Sequence, residues 1–252
     1  MAQNDDHVAL RRRATAYLPS TLLGAIERHR AGDATFIEPT EGTLVFADVS
    51  GFTPLSEGLA ATGREGSERL TAILNDFFGR MLDIAAMWGG SNQKFGGDAM
   101  LLLFVGPDHA RRAVESALAM QGETKRVPAV KVGPRRLKLA MSLGVHSGRF
   151  WAAGVGLPEL RMQHLLLGAD CAHVADAESA ASAGQVVVSR STFELLDGGV
   201  TASELDESPG MFVVGRRRNR AETKPRSGQR PAPDDEAVLA YLPPPLLSLI
   251  HI

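Results

Sequence analysis

Apolar residues recur at spacings of three and four through residues 67–88, at Leu70, Ile73, Leu74, Phe77, Phe78, Met81, Leu82 and Ala85, until Gly89-Gly90 ends the run. That spacing predicts a helix burying one face. Upstream, TLVFADV at 43–49 is rich in β-formers and predicts a buried strand. Apolar segments at 92–95 and 100–105 flank Gly96-Gly97-Asp98, the pattern of a β-hairpin. Further along, the pattern predicts a helix over 108–121, strands over 137–146 and 161–167, a helix over 170–183 and a short strand over 186–189. A short helical lead-in over 8–30, broken at Pro19, precedes all of these. Strand, helix, hairpin, helix, strand is the order of an α+β sandwich of the ferredoxin type (βαββαβ), with helices on one face of a mainly antiparallel sheet. An α/β segment follows it.

Composition narrows the setting. With 252 residues, 44% of them hydrophobic, the chain can bury one substantial core. A net charge of −2 gives no global field that would attract nucleic acid or an anionic membrane. The longest apolar run, 99–105, is too short for a membrane span, and the charged N-terminus lacks the apolar core of a signal peptide. The single cysteine, Cys171, can form neither an internal disulfide nor a structural zinc site. These features together point to a cytoplasmic protein.

The C-terminal part changes character. RRRNRAETKPRSGQR at 216–230 has seven basic residues in fifteen and reads as a flexible linker. AYLPSTLL at 16–23 recurs as AYLPPPLL at 240–247, and the two tyrosines of the chain, Tyr17 and Tyr241, sit in these copies. The final LSLIHI reads like the translation of a transposon-end sequencing adapter. The expected organisation is a lead-in over 1–40, a catalytic-type domain over 41–214, a basic linker over 215–236, the start of a second domain over 237–246, and a non-native tail over 247–252.

The chemistry gathers around two aspartates. Asp48 closes the 43–49 strand and Asp98 sits at the hairpin tip, so a ferredoxin-type sheet can bring both carboxylates to one edge. Two convergent carboxylates suit hard divalent cations that also take phosphate oxygens. Gly51-Phe52-Thr53 follows with successive backbone N–H groups, and a glycine without Cβ lets a triphosphate approach the main chain. A plainer reading has Asp48 capping a turn and Gly51 permitting a tight bend. His146 and His164 read as structural histidines, since no paired histidine spacing suggests a metal. Trp88 and Trp151 read as core or dimer-face residues.

Taken together, FADVSGFTPLSE (46–57), KFGGDAMLLLF (94–104), LGVHSGRFWAAGVG (143–156) and LLLGADCAHVADAESAASAGQVVVS (165–189) resemble the class III nucleotidyl cyclase catalytic domain. The resemblance spans 42–189 and is greatest to the first cyclase domain of soluble, bicarbonate-responsive adenylyl cyclases and their bacterial relatives. It implies attack of the ribose 3′-hydroxyl of ATP on its α-phosphate, with GTP as the alternative substrate. Asp48 and Asp98, with the Val49 carbonyl, would hold two magnesium or manganese ions. Gly51, Phe52 and Thr53 would contact the triphosphate, Arg149 would neutralise it, and Lys94 would read the adenine.

The same resemblance marks departures. In the family the active site forms between two cyclase domains. The positions of the transition-state asparagine and arginine fall on Ala172 and Asp176, and that of the base-reading aspartate on Leu165. Ala175 stands where an arginine of the regulatory pocket is expected. The resemblance therefore implies the metal-bearing half of a cyclase that needs a second cyclase domain, in cis or in trans. The alternative is a non-catalytic cyclase-like domain that regulates an active partner.

Overall fold

The structure, a computed structural model, describes residues 18–29, 35–217, 237, 238 and 240–242. The expected linker from 218, the tail over 247–252 and Tyr17 lie outside the described residues. Helix α1 (Ser20–Arg28) starts directly after Pro19, where a proline is tolerated because the first helical turn lacks intrahelical N–H partners. Strand β1 (Phe36–Ser50) follows, then α2 (Phe52–Ala60), α3 (Arg64–Met87), the hairpin β2 (Gly90–Gly96) and β3 (Ala99–Val105), and α4 (His109–Arg126). A small hairpin, β4 (Val130–Val132) and β5 (Arg135–Leu137), leads into β6 (Ala140–Leu157) and β7 (Arg161–Leu167). The chain continues through α5 (Asp170–Ser179), β8 (Val186–Ser189), α6 (Arg190–Leu195), β9 (Val200–Leu205) and β10 (Ser208–Arg217).

The sheet runs β2-β3-β1-β6-β8-β10-β9, and β7 pairs with the far half of β6. The neighbours β2, β3, β1 and β6 are all antiparallel, which is the ferredoxin-like arrangement expected; β8 joins β6 in parallel and extends it. One face of β1, β3 and β6 presents Val45, Ala47, Met100, Leu102, Leu143 and Val145 to α3 and α4, and these residues are fully buried. The helical spacing in α3 does what it predicts, with Phe77, Met81 and Ala85 inside and Leu70, Ile73 and Leu82 partly buried around them. The opposite face packs Leu44, Leu103 and Phe150 against Val174 of α5.

Two strands are far longer than their apolar runs. β1 begins at Phe36, inside the lead-in expected over 1–40, and β6 continues to Leu157, well past the strand expected over 137–146. Residues 36–42 of β1 pair with 148–154 of β6 as a projecting arm, which apolar-run counting misses because one side of it stays exposed. Pro39 fits there because that stretch of β1 has β6 on one edge only, so no second partner needs its missing N–H. The glycines of β6 mark close approach rather than turns: a Cβ at Gly154 would strike Phe36 and the Tyr241 hydroxyl. The other side of the arm carries α1 together with Ala240 and Tyr241, from the described start of the second copy of the repeated motif. Leu22, Leu23, Phe36, Met162, Val238 and Tyr241 form one buried cluster, and Met162 N–H donates to Ala240 O at 2.8 Å. Burial pushes the Tyr241 hydroxyl up to about 12. Among the described residues, no helix is long and apolar enough to cross a membrane.

Helix α5 lies on the sheet at Gly144, where a side chain would come within 2.6 Å of Glu178 Cα. Gly144→Ala is expected to push α5 off β6 and cost about 1–3 kcal/mol through overpacking. A lower urea midpoint with an unchanged slope is the check.

Candidate active site

The β1 ladders place Asp48 opposite Ala99 of β3 on one side and Ser142 of β6 on the other. Asp98 is the turn residue immediately before Ala99, with Gly97 at φ +69 supplying the reversal. The hairpin therefore carries the second carboxylate to the end of β1, as its position between two apolar runs led one to expect. A third acid joins them. Glu178, on α5, accepts a hydrogen bond from Ser142 Oγ at 2.7 Å. Burial pushes the Asp48 carboxyl above its ordinary value, and the charges of Asp98 and then Glu178 push it further in the same direction. Sequence reasoning did not find Glu178. Its only local signal is its position one turn after buried Val174 and next to buried Ala177, which turns it toward the sheet.

Gly51 caps α2 in the left-handed region at φ +87, and a Cβ there would approach Lys138 O to 2.8 Å. The backbone alone thus requires glycine at 51, so the tight-bend reading of this residue holds whether or not a ligand approaches it. Phe52 and Thr53 open α2, and their N–H groups belong to the first turn, which has no intrahelical acceptors. Thr53 is exposed, whereas the Val49 side chain is buried in the core.

Arg149 does not join this group. It pairs with Glu41, seven residues along β1 from Asp48, a separation of roughly 23 Å at strand rise. The expectation that Arg149 neutralises a triphosphate held at Asp48 and Asp98 is corrected on that ground: an antiparallel register sends β6 away from Asp48 as the chain runs from Ser142 to Arg149. The Arg149 backbone N–H is instead engaged by Asp170 Oδ2 at 2.7 Å.

Comparison with known proteins identifies the family. Residues 38–223 match the adenylate and guanylate cyclase catalytic domain. The chain belongs to this family. It is 24% identical to adenylate cyclase type 10 of Homo sapiens over 188 residues, covering 73% of this chain and 11% of that protein. It is 27% identical to adenylate cyclase 1 of Rhizobium meliloti (strain 1021) over 158 residues, 60% of this chain and 22% of that one. The chain thus spans only 11% and 22% of the length of these two relatives. Among solved structures, the guanylate cyclase domain of RhGC from Catenaria anguillulae, in complex with GTP, is similar at a TM-score of 0.60 and 26% identity. That likeness covers 72% of this chain and 100% of the other. The adenylyl cyclase CyaB from P. aeruginosa shares the fold at a TM-score of 0.61 and 24% identity, covering 74% of this chain and 99% of its own.

Within the cyclase domain, Lys94 stands apart from the acids. It is exposed on β2 and lines a cavity of about 970 Å³ with Thr21 and Arg28 of α1, Glu38 of β1 and His164 of β7. Neither Asp48 nor Asp98 lines that cavity. Burial drives the His164 imidazole down to about 4, so it is neutral at pH 7. Ala172 and Asp176 lie on the exposed side of α5. Leu165 shares a face of the arm with Ile37, Trp151 and Leu167, all four exposed.

An acid whose folded pKa is raised stabilises the fold only below its unfolded pKa, and that stability is lost as pH rises through the folded value. Ionised Asp48 therefore opposes folding at neutral pH in the absence of metal. Asp48→Asn is expected to stabilise the chelator-treated protein at pH 7, by no more than about 1 kcal/mol because water screens the site. The gain should vanish as pH falls into the carboxylate range, which urea titrations at a series of pH values would read.

Proposed function

We propose that the chain is the metal-bearing half of an adenylyl cyclase that converts ATP to cyclic AMP and pyrophosphate. The observation that carries this reading is the group of three carboxylates, Asp48, Asp98 and Glu178, with Asp48 pushed up by burial and by its two acidic neighbours. Such a set fits hard divalent cations, because oxygen ligands of like charge relieve their repulsion on a cation. Two magnesium or manganese ions would supply activation of the ribose 3′-hydroxyl and charge neutralisation at the α-phosphate. Asp48 and Asp98 hold them in this reading, with the Val49 carbonyl beside them. Phe52 and Thr53 donate backbone N–H groups, and Thr53 its hydroxyl, to triphosphate oxygens at the start of α2. Gly51 gives the turn that aims them. The 3′-hydroxyl gives up its proton to solvent water as its oxygen bonds to the α-phosphorus and the bond to the pyrophosphate oxygen breaks.

The other wall of the site comes from a second cyclase domain. Ala172 and Asp176 cannot supply the donors that stabilise charge in the transition state, and Leu165 cannot read a base. The exposed face of Ile37, Trp151, Leu165 and Leu167 is the surface offered to that partner. Lys94 would serve the second, pseudo-symmetric pocket, and GTP is the alternative substrate. The competing reading, a regulatory cyclase-like domain, is favoured by those same substituted positions on α5. A cytoplasmic setting follows from the soluble type of cyclase it resembles.

The purified chain alone, with ATP and magnesium or manganese, is expected to turn over two to three orders of magnitude more slowly than a complete cyclase (about 10²–10³-fold). Ala172→Asn combined with Asp176→Arg should recover much of that loss in the homodimer, and Asp48→Ala should abolish the recovered activity. Full activity of the unmodified chain would refute the half-site reading. No activity in the double variant, with nucleotide binding intact, would favour the regulatory one.

A further inference from the structure

Outside the acidic group, the described residues hold a further cluster of ligand-type side chains, and it includes His146, which reads from sequence as structural. His146 on β6 pairs with Leu44, four residues or about 13 Å along β1 from Asp48. Its side chain is buried against α5, whose first turn brings Asp170 and His173 to it. Nε2 of His146 lies 3.5 Å from Asp170 Oδ1, and Nδ1 of His173 lies 3.4 Å from the same oxygen. The three ligand atoms fall within 4.8 Å of one another.

The hydrogen bonds around this cluster fix which atoms are bare. Ser191 Oγ donates to Ser147 O at 2.8 Å, so it accepts from Ser189 Oγ at 3.0 Å. Ser189 Oγ, its proton spent, accepts from His146 Nδ1–H at 2.9 Å. This set of contacts favours the tautomer whose Nε2 carries a lone pair. That Nε2 is buried with no hydrogen-bond partner, in a residue only 6% exposed, and it faces a carboxylate oxygen that is also an acceptor. Asp170 is oriented in turn: its Oδ2 takes the Arg149 N–H at 2.7 Å, and only a glycine at 148 leaves it room, since a Cβ there would strike the carboxylate. Two ring nitrogens and a carboxylate oxygen thus converge on one point.

We propose that His146, Asp170 and His173 form a binding site for a divalent transition-metal ion of the zinc type, joining β6 to the start of α5. A tetrahedral zinc with bonds of about 2.0–2.1 Å sets its ligand atoms about 3.3–3.4 Å apart, close to the two separations measured here. Two imidazoles and one carboxylate select zinc over magnesium, which demands oxygen ligands. Ser189 on His146 and the Arg149 amide on Asp170 are the outer partners that metal-binding side chains ordinarily have. Three protein ligands leave one position open to water or another ligand. Bound metal would pin the start of α5 to the strand segment carrying Arg149.

The test uses the full chain, stripped with a chelator and titrated with zinc against a chromophoric competitor, then with cobalt(II) for its visible absorption. One equivalent of zinc is expected, with the cobalt spectrum of a tetrahedral site. His173→Ala alters an exposed side chain, and Asp170→Asn keeps an oxygen for the Arg149 amide; each should weaken zinc by about 100-fold or more and erase the cobalt bands. Asp48→Ala should change neither. Absence of stoichiometric uptake, uptake indifferent to both α5 substitutions, or uptake lost on Asp48→Ala would each overturn the site. None of these readouts depends on cyclase turnover.

Discussion

The unbroken antiparallel ladder between β1 and β6, from Phe36 opposite Gly154 to Ser50 opposite Ala140, is the constraint on which the rest of the molecule depends. This ladder contains no bulge, and slipping it by one residue would turn every side chain to the other face. With Val45 and Val145 both committed to the core under α3 and α4, the positions of Asp48, Leu44 and Glu41 along β6 follow automatically. Asp48 must meet Ser142, and through it Glu178. Arg149 must lie with Glu41, at the other end.

The ladder also divides the molecule by function. At the end of β1, charge is concentrated: Asp98 of the hairpin turn and Glu178 of α5 lie close enough to Asp48 to push its carboxyl up, beside the larger effect of burial. Along the arm, apolar surface is left uncovered on one side and covered by α1 and Tyr241 on the other. Between the two ends, α5 seats on Gly144 and Gly148, the two places where β6 lacks a side chain that would block it. A single helix thus delivers Glu178 to the acidic end and Asp170 with His173 to His146.

The second copy of the repeated motif packs in an informative way. Ala240 and Tyr241 pack into the same cluster as Leu22 and Leu23 of the first copy, and Tyr241 fills the space that Gly154 leaves open.

Much of the fold was legible because local rules sufficed. Helical spacing marked α3, the apolar alternation around Gly96-Gly97-Asp98 marked the hairpin, and β7 and β8 fall where β-rich runs placed them. The convergence of Asp48 and Asp98 was also legible, since each sits at the end of an apolar run whose partner the ferredoxin order dictates. What the sequence could not determine is how far strands continue and which distant residues stand opposite. The arm of β1 lacks a continuous apolar run, Gly148 and Gly154 imitate turns, and Arg149 sits in a motif whose distance from Asp48 depends on register. Glu178 and the His146–Asp170–His173 cluster depend on where α5 crosses the sheet, which is set by its backbone against Gly144 and the Asp170 side chain against Gly148. Side-chain period reports which face a residue shows; only the packed sheet decides what that face meets.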